Sequence, residues 1–199
     1  SLTYRVSDQI FYDTATIVLN LENENDEPIA GFDKALDFDG VDDYIDLTGN
    51  TAVDLTDSLT FEAWVNPRVT SGRIFHNGGN NLLPGWTIFF IGSNLRVEFR
   101  NGSVAQADVN YSSYLNEWHH LAVSWNQAEK VIRVFIDGDL VRSRNFNPTI
   151  GIFAGEPGLG GQSDGGNLYN GLMDEVRIWD AWRSQAQIQA DMRKTVDPN

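Results

Sequence analysis

Three aspartates in one predicted turn have the residue type and spacing of a calcium site. The turn DFDGVDD offers Asp39, Asp42 and Asp43 within five residues, and Gly40 lets the chain bend so that backbone carbonyls can also face an ion. Ca²⁺ takes roughly six to eight oxygen ligands from carboxylates, carbonyls and water. The turn is not an EF-hand, because Val41 stands where an oxygen ligand is needed. The alternative is that these aspartates are ordinary turn formers.

A fourth aspartate, Asp174, lies in a predicted strand far along the chain. Alternation in the stretch GLMDEVRIW puts Asp174 on the same side as three aliphatic residues, and Asp43 likewise alternates with Ile45. An unpaired carboxylate in an apolar layer is costly, so each acid should face a cation, backbone N–H donors or the wet rim of the sheet. We expect a bound Ca²⁺ to neutralise both acids. The alternative is that Asp174 accepts backbone hydrogen bonds.

The elements that must position these acids are predicted to be strands. Residues 59–65, LTFEAWV, alternate apolar and polar side chains, as a half-buried strand does. WTIFFI and LRVEFR are predicted to pair across the three residues 92–94, and Asp137 with Gly138 fits a positive-φ turn between two further strands. Residues 155–167 are rich in glycine and indicate a loop.

One helix is predicted near the end of the sequence. Ser184 and Gln187 form a capping box, and Ile188 and Met192 lie one turn apart on a common face. Many short strands with a single short C-terminal helix indicate an all-β sandwich. Because 199 residues suit one all-β domain, we predict a single domain over residues 1–199.

The composition excludes several classes of partner. A formal net charge of −14 argues against nucleic acid and favours cations or neutral ligands. No segment approaches about 18 uninterrupted apolar residues, so we expect no membrane insertion. Cysteine is absent, which removes disulfides and thiolate sites. An acidic, cysteine-free β domain suits an extracellular or cell-surface location, and we expect it to be part of a larger multidomain chain.

The acids do not form the pattern of a glycoside hydrolase. Retaining enzymes need two carboxylates about 5 to 5.5 Å apart on one face, and neither face of GLMDEVRIW carries such a pair. Glu62 and Glu98 are predicted to face solvent. His119 and His120 point to opposite faces of a strand, so they cannot chelate one ion together. Serine and cysteine nucleophile motifs are also absent, so the chain is predicted not to be an enzyme.

Several segments, taken in this order, resemble the laminin-G-like branch of the concanavalin-A-like lectin/glucanase superfamily. They are ALDFDGVDDYIDL, SLTFEAWVNP, RIFHNGG, LNEWHHLAVSW, VFIDGDLV and GLMDEVRIWDAWRSQAQI, and they span residues 35–193, with 1–30 outside as predicted entry strands. The resemblance implies a jelly-roll sandwich of two curved antiparallel sheets in a secreted or surface-anchored protein that binds glycans or proteins. It also implies one Ca²⁺ that joins the FDG turn to Asp174.

Two loops carry the residues that we expect to bind a glycan. Sugar recognition combines aromatic faces with amides, carboxylates and backbone groups on loops. The candidates are His76, Asn77, Asn80, Asn81 and Trp86 in the first loop, and Gln162, Asp164, Asn167 and Tyr169 in the second. The alternatives are that Trp86 belongs to the core and that the asparagines are turn formers.

The sequence therefore predicts a non-catalytic extracellular binding or adhesion module that binds carbohydrate and is stabilised by a structural calcium ion. The expected partner is a glycan or a cell-surface protein. Two alternatives stay open. One is a structural spacer or protein-interaction module without sugar binding, and the other is an appendage of a glycoside hydrolase.

Overall fold

Two antiparallel β-sheets of six strands each build the domain, and one α-helix lies on the outer face of the second sheet. The computed structural model describes residues 2–3, 6–7, 12–13, 16–17, 35–50, 57–78, 85–100, 103–146, 156–162 and 165–194. Within these residues the two sheets enclose an apolar core. The architecture is the jelly-roll sandwich that the sequence predicts.

Four short strands precede the sandwich. β1 (Leu2–Thr3) pairs with β4 (Thr16–Ile17), and β2 (Val6–Ser7) pairs with β3 (Tyr12–Asp13). They pair with one another and belong to neither six-stranded sheet.

The remaining strands divide between the two sheets, and each list follows the spatial order of the strands. Sheet 1 contains β11 (Val104–Asn110), β10 (Asn94–Arg100), β9 (Gly85–Ile91), β8 (Arg73–Gly78), β15 (Pro157–Leu159) and β6 (Ile45–Asp46). Sheet 2 contains β14 (Asp139–Asn145), β13 (Val131–Ile136), β12 (His119–Asn126), β7 (Ser58–Pro67), β16 (Asn170–Trp179) and β5 (Leu36–Asp39). A 3₁₀ turn at Ser112–Tyr114 lies between β11 and β12.

The core forms because apolar residues alternate on the strands that face it. Leu59, Phe61, Ala63 and Val65 of β7 are fully buried in the core, as their alternation predicts. Thr60 and Glu62 on the opposite face are also fully buried, so the prediction of a half-buried strand is wrong. Phe75 and Trp86 of sheet 1 stack with their ring centroids 4.3 Å apart. Phe99 stacks on Trp125 of sheet 2 at 5.2 Å, which joins the two sheets. Each such buried side chain contributes about 1.5–3 kcal/mol to stability.

Two hairpins show how local sequence sets the strand pairing. Asp137 and Gly138 have φ angles of +53° and +79° and join β13 to β14, as predicted. The hairpin between β9 and β10 differs from the prediction, because Ile91 pairs directly with Asn94 and leaves a two-residue loop. Gly92 opens that loop with a φ of +58°, a conformation that glycine adopts without strain.

Helix α1 (Gln185–Asp191) covers part of the outer face of sheet 2. The predicted capping box is present, because the Ser184 side chain accepts from the Gln187 backbone and the Gln187 side chain accepts from the Ser184 backbone. Ile188 of the helix packs on Ala122 and Phe135. This apolar contact fixes the helix against β12 and β13.

Side chains of sheet 2 also bond to the carbonyl groups where the helix ends. The guanidinium of Arg177 donates to the carbonyl oxygen of Asp191 at 3.0 Å and to that of Lys194. The indole N–H of Trp64 donates to the carbonyl oxygen of Met192 at 2.9 Å. Carbonyls at a helix end have no partner within the helix, so the sheet satisfies them.

A bulge in β16 overturns the predicted alternation of that strand. Glu175 has a φ of +51°, and the pairing of β16 with β7 shifts register between Asp174 and Arg177. Met173 is buried in the core before the bulge, and Val176 packs against the same core after it. The extra residue therefore separates Asp174 from the aliphatic face. Asp174 pairs with Trp64 and lies on the outer side of sheet 2, so its predicted inward orientation is wrong.

Candidate functional site

The turn after β5 brings three carboxylates together. Oxygen atoms of Asp39, Asp42 and Asp43 all lie within 4.8 Å of one another. Asp39 is exposed, and the other two are half-buried. All three offer oxygen ligands, which suit a hard cation such as Ca²⁺, and their exposure leaves room for water to complete its coordination.

The backbone of the turn sets this cluster. Gly40 has a φ of +78°, and a side-chain oxygen of Asp39 accepts from the amide of Val41 at 2.7 Å. A carboxylate oxygen of Asp43 accepts from the amide of Asp39 at 3.0 Å. Each of these two acids uses one oxygen for the turn and has a second oxygen available for a ligand. Neither forms an ion pair with a described lysine or arginine.

The predicted fourth metal ligand is not part of this cluster. In the pairing of β5 with β16, Asn170 stands opposite Asp39, and its side-chain amide donates to the Asp39 carbonyl at 2.7 Å. Asp174 lies four residues further along β16, which is roughly 13 Å at about 3.3 Å per residue. The Asp174 carboxylate accepts from the Glu175 amide at 2.8 Å. The prediction that Asp174 joins the FDG turn at one ion is therefore wrong.

The two aromatic residues predicted to contact a ligand lie in the core. Trp86 is only 1% exposed and packs among Phe75, Phe99 and Phe61. Tyr169 is fully buried, and burial raises the pKa of its hydroxyl well above the ordinary value. Neither ring face is available to a ligand, so both assignments are wrong. The alternative of Trp86 as a core residue is correct.

The other predicted ligand residues have different environments. His76 and Asn77 are buried on β8, and the ring of His76 contacts Arg73 at 3.3 Å. Gln162 is buried and accepts from the side chain of Asn167, which is itself exposed. Asn80, Asn81 and Asp164 lie outside the described residues.

The outer face of sheet 1 carries a polar surface that the sequence did not single out. We call it the sheet 1 face; its side chains are Arg73, His76, Thr87, Phe89, Arg96, Glu98, Arg100, Gln106 and Asp108. Cross-strand pairing aligns Gln106, Glu98, Thr87 and His76 in one row. Of these, Glu98, Thr87 and His76 are buried and only Gln106 is half-buried, so the predicted solvent-facing position of Glu98 is wrong.

Ion pairs and hydrogen bonds fix the sheet 1 face. Arg73 donates to the Thr87 hydroxyl at 2.9 Å, and its guanidinium lies over the Phe89 ring at 5.3 Å. Arg100 pairs with Glu98 at 2.6 Å. Such contacts hold donors and acceptors in place before a ligand arrives, which lowers the entropy cost of binding.

Asp108 of strand β11 on this face is poorly suited to general acid catalysis. Arg96 donates two hydrogen bonds to Asp108 at 2.7 and 2.8 Å, and this contact lowers the pKa of the Asp108 carboxyl below its usual range. A glycosidase acid needs the opposite shift, toward a raised pKa. Glu98 accepts two hydrogen bonds from the guanidinium of Arg100, at 3.0 and 2.6 Å.

A buried charge cluster lies on the outer face of sheet 2, beneath helix α1. Glu62 is fully buried, with His120 Nε2 and Arg183 Nη1 each 3.5 Å from one of its oxygens. Arg183 also pairs with Asp191 of the helix and lies 4.0 Å over the Trp179 ring. Hydrogen bonds from Lys194 and Arg183 lower the pKa of the Asp191 carboxyl. Glu62 was predicted to face solvent; that is wrong because the C-terminal segment covers it.

His119 and His120 each contact an acidic side chain of the same chain. His119 Nδ1 lies 2.8 Å from the Asp137 carboxylate, whereas His120 faces Glu62 and the Trp64 ring. The two rings do not share a ligand, in agreement with the alternation of strand side chains.

Comparison with known proteins identifies the family of the chain. The model Laminin_G_3, described as the concanavalin A-like lectin/glucanases superfamily, matches residues 39–189. The chain belongs to this family. No curated protein sequence matches it. None of the helices among the described residues is long and apolar enough to cross a bilayer.

Solved structures with a similar fold come from a toxin, an arabinanase and a laminin. The receptor-binding domain of botulinum neurotoxin mosaic serotype C/D has a TM-score of 0.66 and 13% identity, over 95% of this chain and 49% of that chain. Domain 4 of the arabinanase AbnA from Geobacillus stearothermophilus, in complex with arabinotriose, has a TM-score of 0.64 and 17% identity, over 85% and 80%. Mouse laminin alpha1 chain domains LG4-5 have a TM-score of 0.59 and 14% identity, over 75% and 43%. The chain thus spans about half the length of the toxin domain, and these likenesses show the fold.

Proposed function

We propose that the chain is a non-catalytic carbohydrate-binding module of a larger extracellular protein. The observation that carries the proposal is the sheet 1 face, where the half-buried side chains of Phe89, Arg96, Gln106 and Asp108 lie around a buried, hydrogen-bonded row on a lectin-like sandwich. Support comes from the arabinanase domain solved with arabinotriose and from the toxin receptor-binding domain, which share the fold. The extracellular location rests on these same relatives and on the laminin domains.

The chemistry of the sheet 1 face suits a neutral sugar. Sugar hydroxyls both donate and accept, and the half-buried side chains of the face include the donors Arg73 and Arg100 and the acceptor Asp108. Gln106 offers both functions at the end of the row. Phe89 is half-buried beside them and provides apolar surface for sugar C–H groups. The proposed contact surface for the sugar is thus formed by strands, whereas the sequence predicts that two loops form it.

We also propose that the turn cluster of Asp39, Asp42 and Asp43 holds a structural Ca²⁺. The oxygen-only donor set and its 4.8 Å spacing support this assignment. An ion there would neutralise three carboxylates that crowd one turn. Its role would be to stiffen the turn, because the sheet 1 face needs no metal for its own contacts.

The experiment is a binding screen with variants of the face. The native chain is tested on a glycan array and by affinity electrophoresis in soluble plant and bacterial polysaccharides. We expect Phe89→Ala and Gln106→Ala to weaken binding of the glycan found by roughly tenfold each, which is the effect of losing about 1.4 kcal/mol of contact. Val69→Ala removes an exposed apolar side chain from another surface and serves as the matched control.

Each result has a clear meaning. Loss of binding in the two face variants, with unchanged thermal unfolding and an unaffected Val69→Ala, supports the proposal. Full binding by both face variants would reject the sheet 1 face. Absence of binding to every glycan would favour the remaining alternative, a spacer or protein-interaction module.

A further inference from the structure

The edge strand β14 differs from every other strand of the sandwich in exposure. All seven of its residues are exposed, and it forms the free edge of sheet 2. Within the described residues its backbone pairs with β13 alone. The outward N–H and C=O groups of such an edge can accept another strand.

Two arginines on this strand form no ion pair with a residue that the structure describes. Arg142 and Arg144 stand two residues apart, on the same side of the strand, opposite Val134 and Ile132. Neither forms an ion pair within the described part of the chain. The Asp108 carboxylate lies near Arg142, but both of its oxygens already accept from Arg96. In a chain of net charge −14, two uncompensated arginines on one strand form a local basic surface.

Apolar side chains accompany these charges. Leu140 and Val141 on β14 are 44% and 39% exposed. Val104, which is 45% exposed, begins β11, the edge strand of sheet 1 that packs beside β14. Interfaces combine exposed apolar side chains with arginine in this way, whereas surfaces without partners carry more lysine and glutamate.

We propose that β14 is a docking edge for an acidic, extended peptide segment of a partner protein. The segment would add as a seventh strand to sheet 2, with carboxylates opposite Arg142 and Arg144 and an apolar residue against Val141. From Arg142 to Asn145, beyond the bulge at Val141, β14 pairs with β13 in regular register, so its outward N–H and C=O groups there have the spacing of a strand, and the two arginines select a partner with negative charge.

A second copy of this chain is a poorer occupant of the same edge. A two-fold pairing of β14 with β14 would bring the arginines of both copies close together, and like charges that face each other across strands are unfavourable.

The test uses synthetic eight-residue peptides of alternating glutamate and valine, labelled for fluorescence anisotropy. Controls are the same peptide with lysine in place of glutamate, and one with prolines in place of two valines, which removes the N–H groups needed for pairing. We expect the acidic peptide to bind the native chain and to shift the backbone amide NMR signals of residues 139–145. The double variant Arg142→Gln, Arg144→Gln should bind it roughly tenfold more weakly.

The matched control is Arg133→Gln, which removes one arginine from the neighbouring strand, where Arg133 lies over the Trp182 ring and pairs with Glu129. This variant should bind the acidic peptide as the native chain does. Equal binding by the double glutamine variant, or equal binding of the proline peptide, would overturn the proposal. So would self-association of the native chain through β14, or binding of a sulfated oligosaccharide at Arg142 and Arg144 with no peptide binding. These outcomes leave the glycan test of the sheet 1 face unaffected, because that test uses other residues.

Discussion

Two groups of carboxylates in this domain have opposite surroundings. The turn cluster of Asp39, Asp42 and Asp43 is partly open to water, and neither Asp39 nor Asp43 pairs with a described basic side chain. Glu62 is fully buried, and the chain itself supplies Arg183 and His120 beside it. The turn cluster therefore offers only carboxylate oxygens, whereas Glu62 lies beside basic side chains of the same chain.

The contrast separates a charge that the fold itself neutralises from the charges that we propose a cation neutralises. Removing a buried ion from water is costly, so Glu62 is tolerable only because basic groups of the same chain are folded around it. A surface cluster of acids repels itself in any state of the chain, and an added cation relieves that repulsion. We therefore expect substitutions in the two groups to change different quantities.

The largest effect is expected at Glu62. Glu62→Gln should lower the free energy of unfolding by about 3 kcal/mol, because Arg183 would then be buried with less negative charge around it. Urea denaturation followed by tryptophan fluorescence measures the change. Glu117→Gln is the control, since the Glu117 side chain is 79% exposed and its loss should stay within about 0.5 kcal/mol. A loss below about 1 kcal/mol for Glu62→Gln would contradict the role given to the buried cluster.

The next largest effect on stability is expected from calcium binding to the turn cluster. At a concentration about 100-fold above its dissociation constant, Ca²⁺ should stabilise the native chain by about 2.7 kcal/mol, and EDTA should reverse this. Thermal unfolding with and without calcium measures the shift. Asp43→Asn should abolish it because one of the three carboxylates loses its charge.

Asp174→Asn is the matched control for that experiment. It removes the same type of charge from a carboxylate roughly 13 Å further along the sheet, so the calcium effect should remain. Loss of the effect in Asp174→Asn, or no calcium effect on the native chain, would contradict the assignment of the ion to the turn.

The smallest difference is expected between two glycines near the turn cluster. Gly40 and Gly49 have φ angles of +78° and +85°, so alanine costs about 1 kcal/mol of backbone strain at either position. A Cβ on Gly40 would lie 2.8 Å from the Cβ of Asn170, whereas one on Gly49 would meet nothing within 4 Å. Gly40→Ala should therefore destabilise more than Gly49→Ala, by about 1 kcal/mol in chemical denaturation. Equal losses would show that the approach of Asn170 does not matter.

Features set by neighbouring residues were predictable from the sequence. The alternation of 59–65, the turn at Asp137 and Gly138, and the capping box of Ser184 depend on local backbone geometry, and all three are present. The turn that carries Asp39 is local in the same sense. None of these features depends on which distant part of the chain packs against it.

Features set by distant contacts were not predictable. The bulge at Glu175 reverses the face of Asp174, and the sequence GLMDEVRIW gives no sign of it because alternation looks regular there. Glu62 alternates as a solvent-facing residue should, and only the return of helix α1 buries it. Trp86 follows a loop, but the opposite sheet closes over its ring. Contacts with distant parts of the chain, more than residue type, determine the orientation of Asp174 and the burial of Glu62 and Trp86.

The bonds from Trp64 and Arg177 to the carbonyls of residues 191, 192 and 194 bear on how the domain can be dissected. The family match stops at residue 189, yet removing everything beyond it would delete three hydrogen-bond acceptors and admit solvent beside Glu62. A recombinant fragment should therefore run through Lys194. Proteolytic removal of residues 190–194 should therefore destabilise the sandwich.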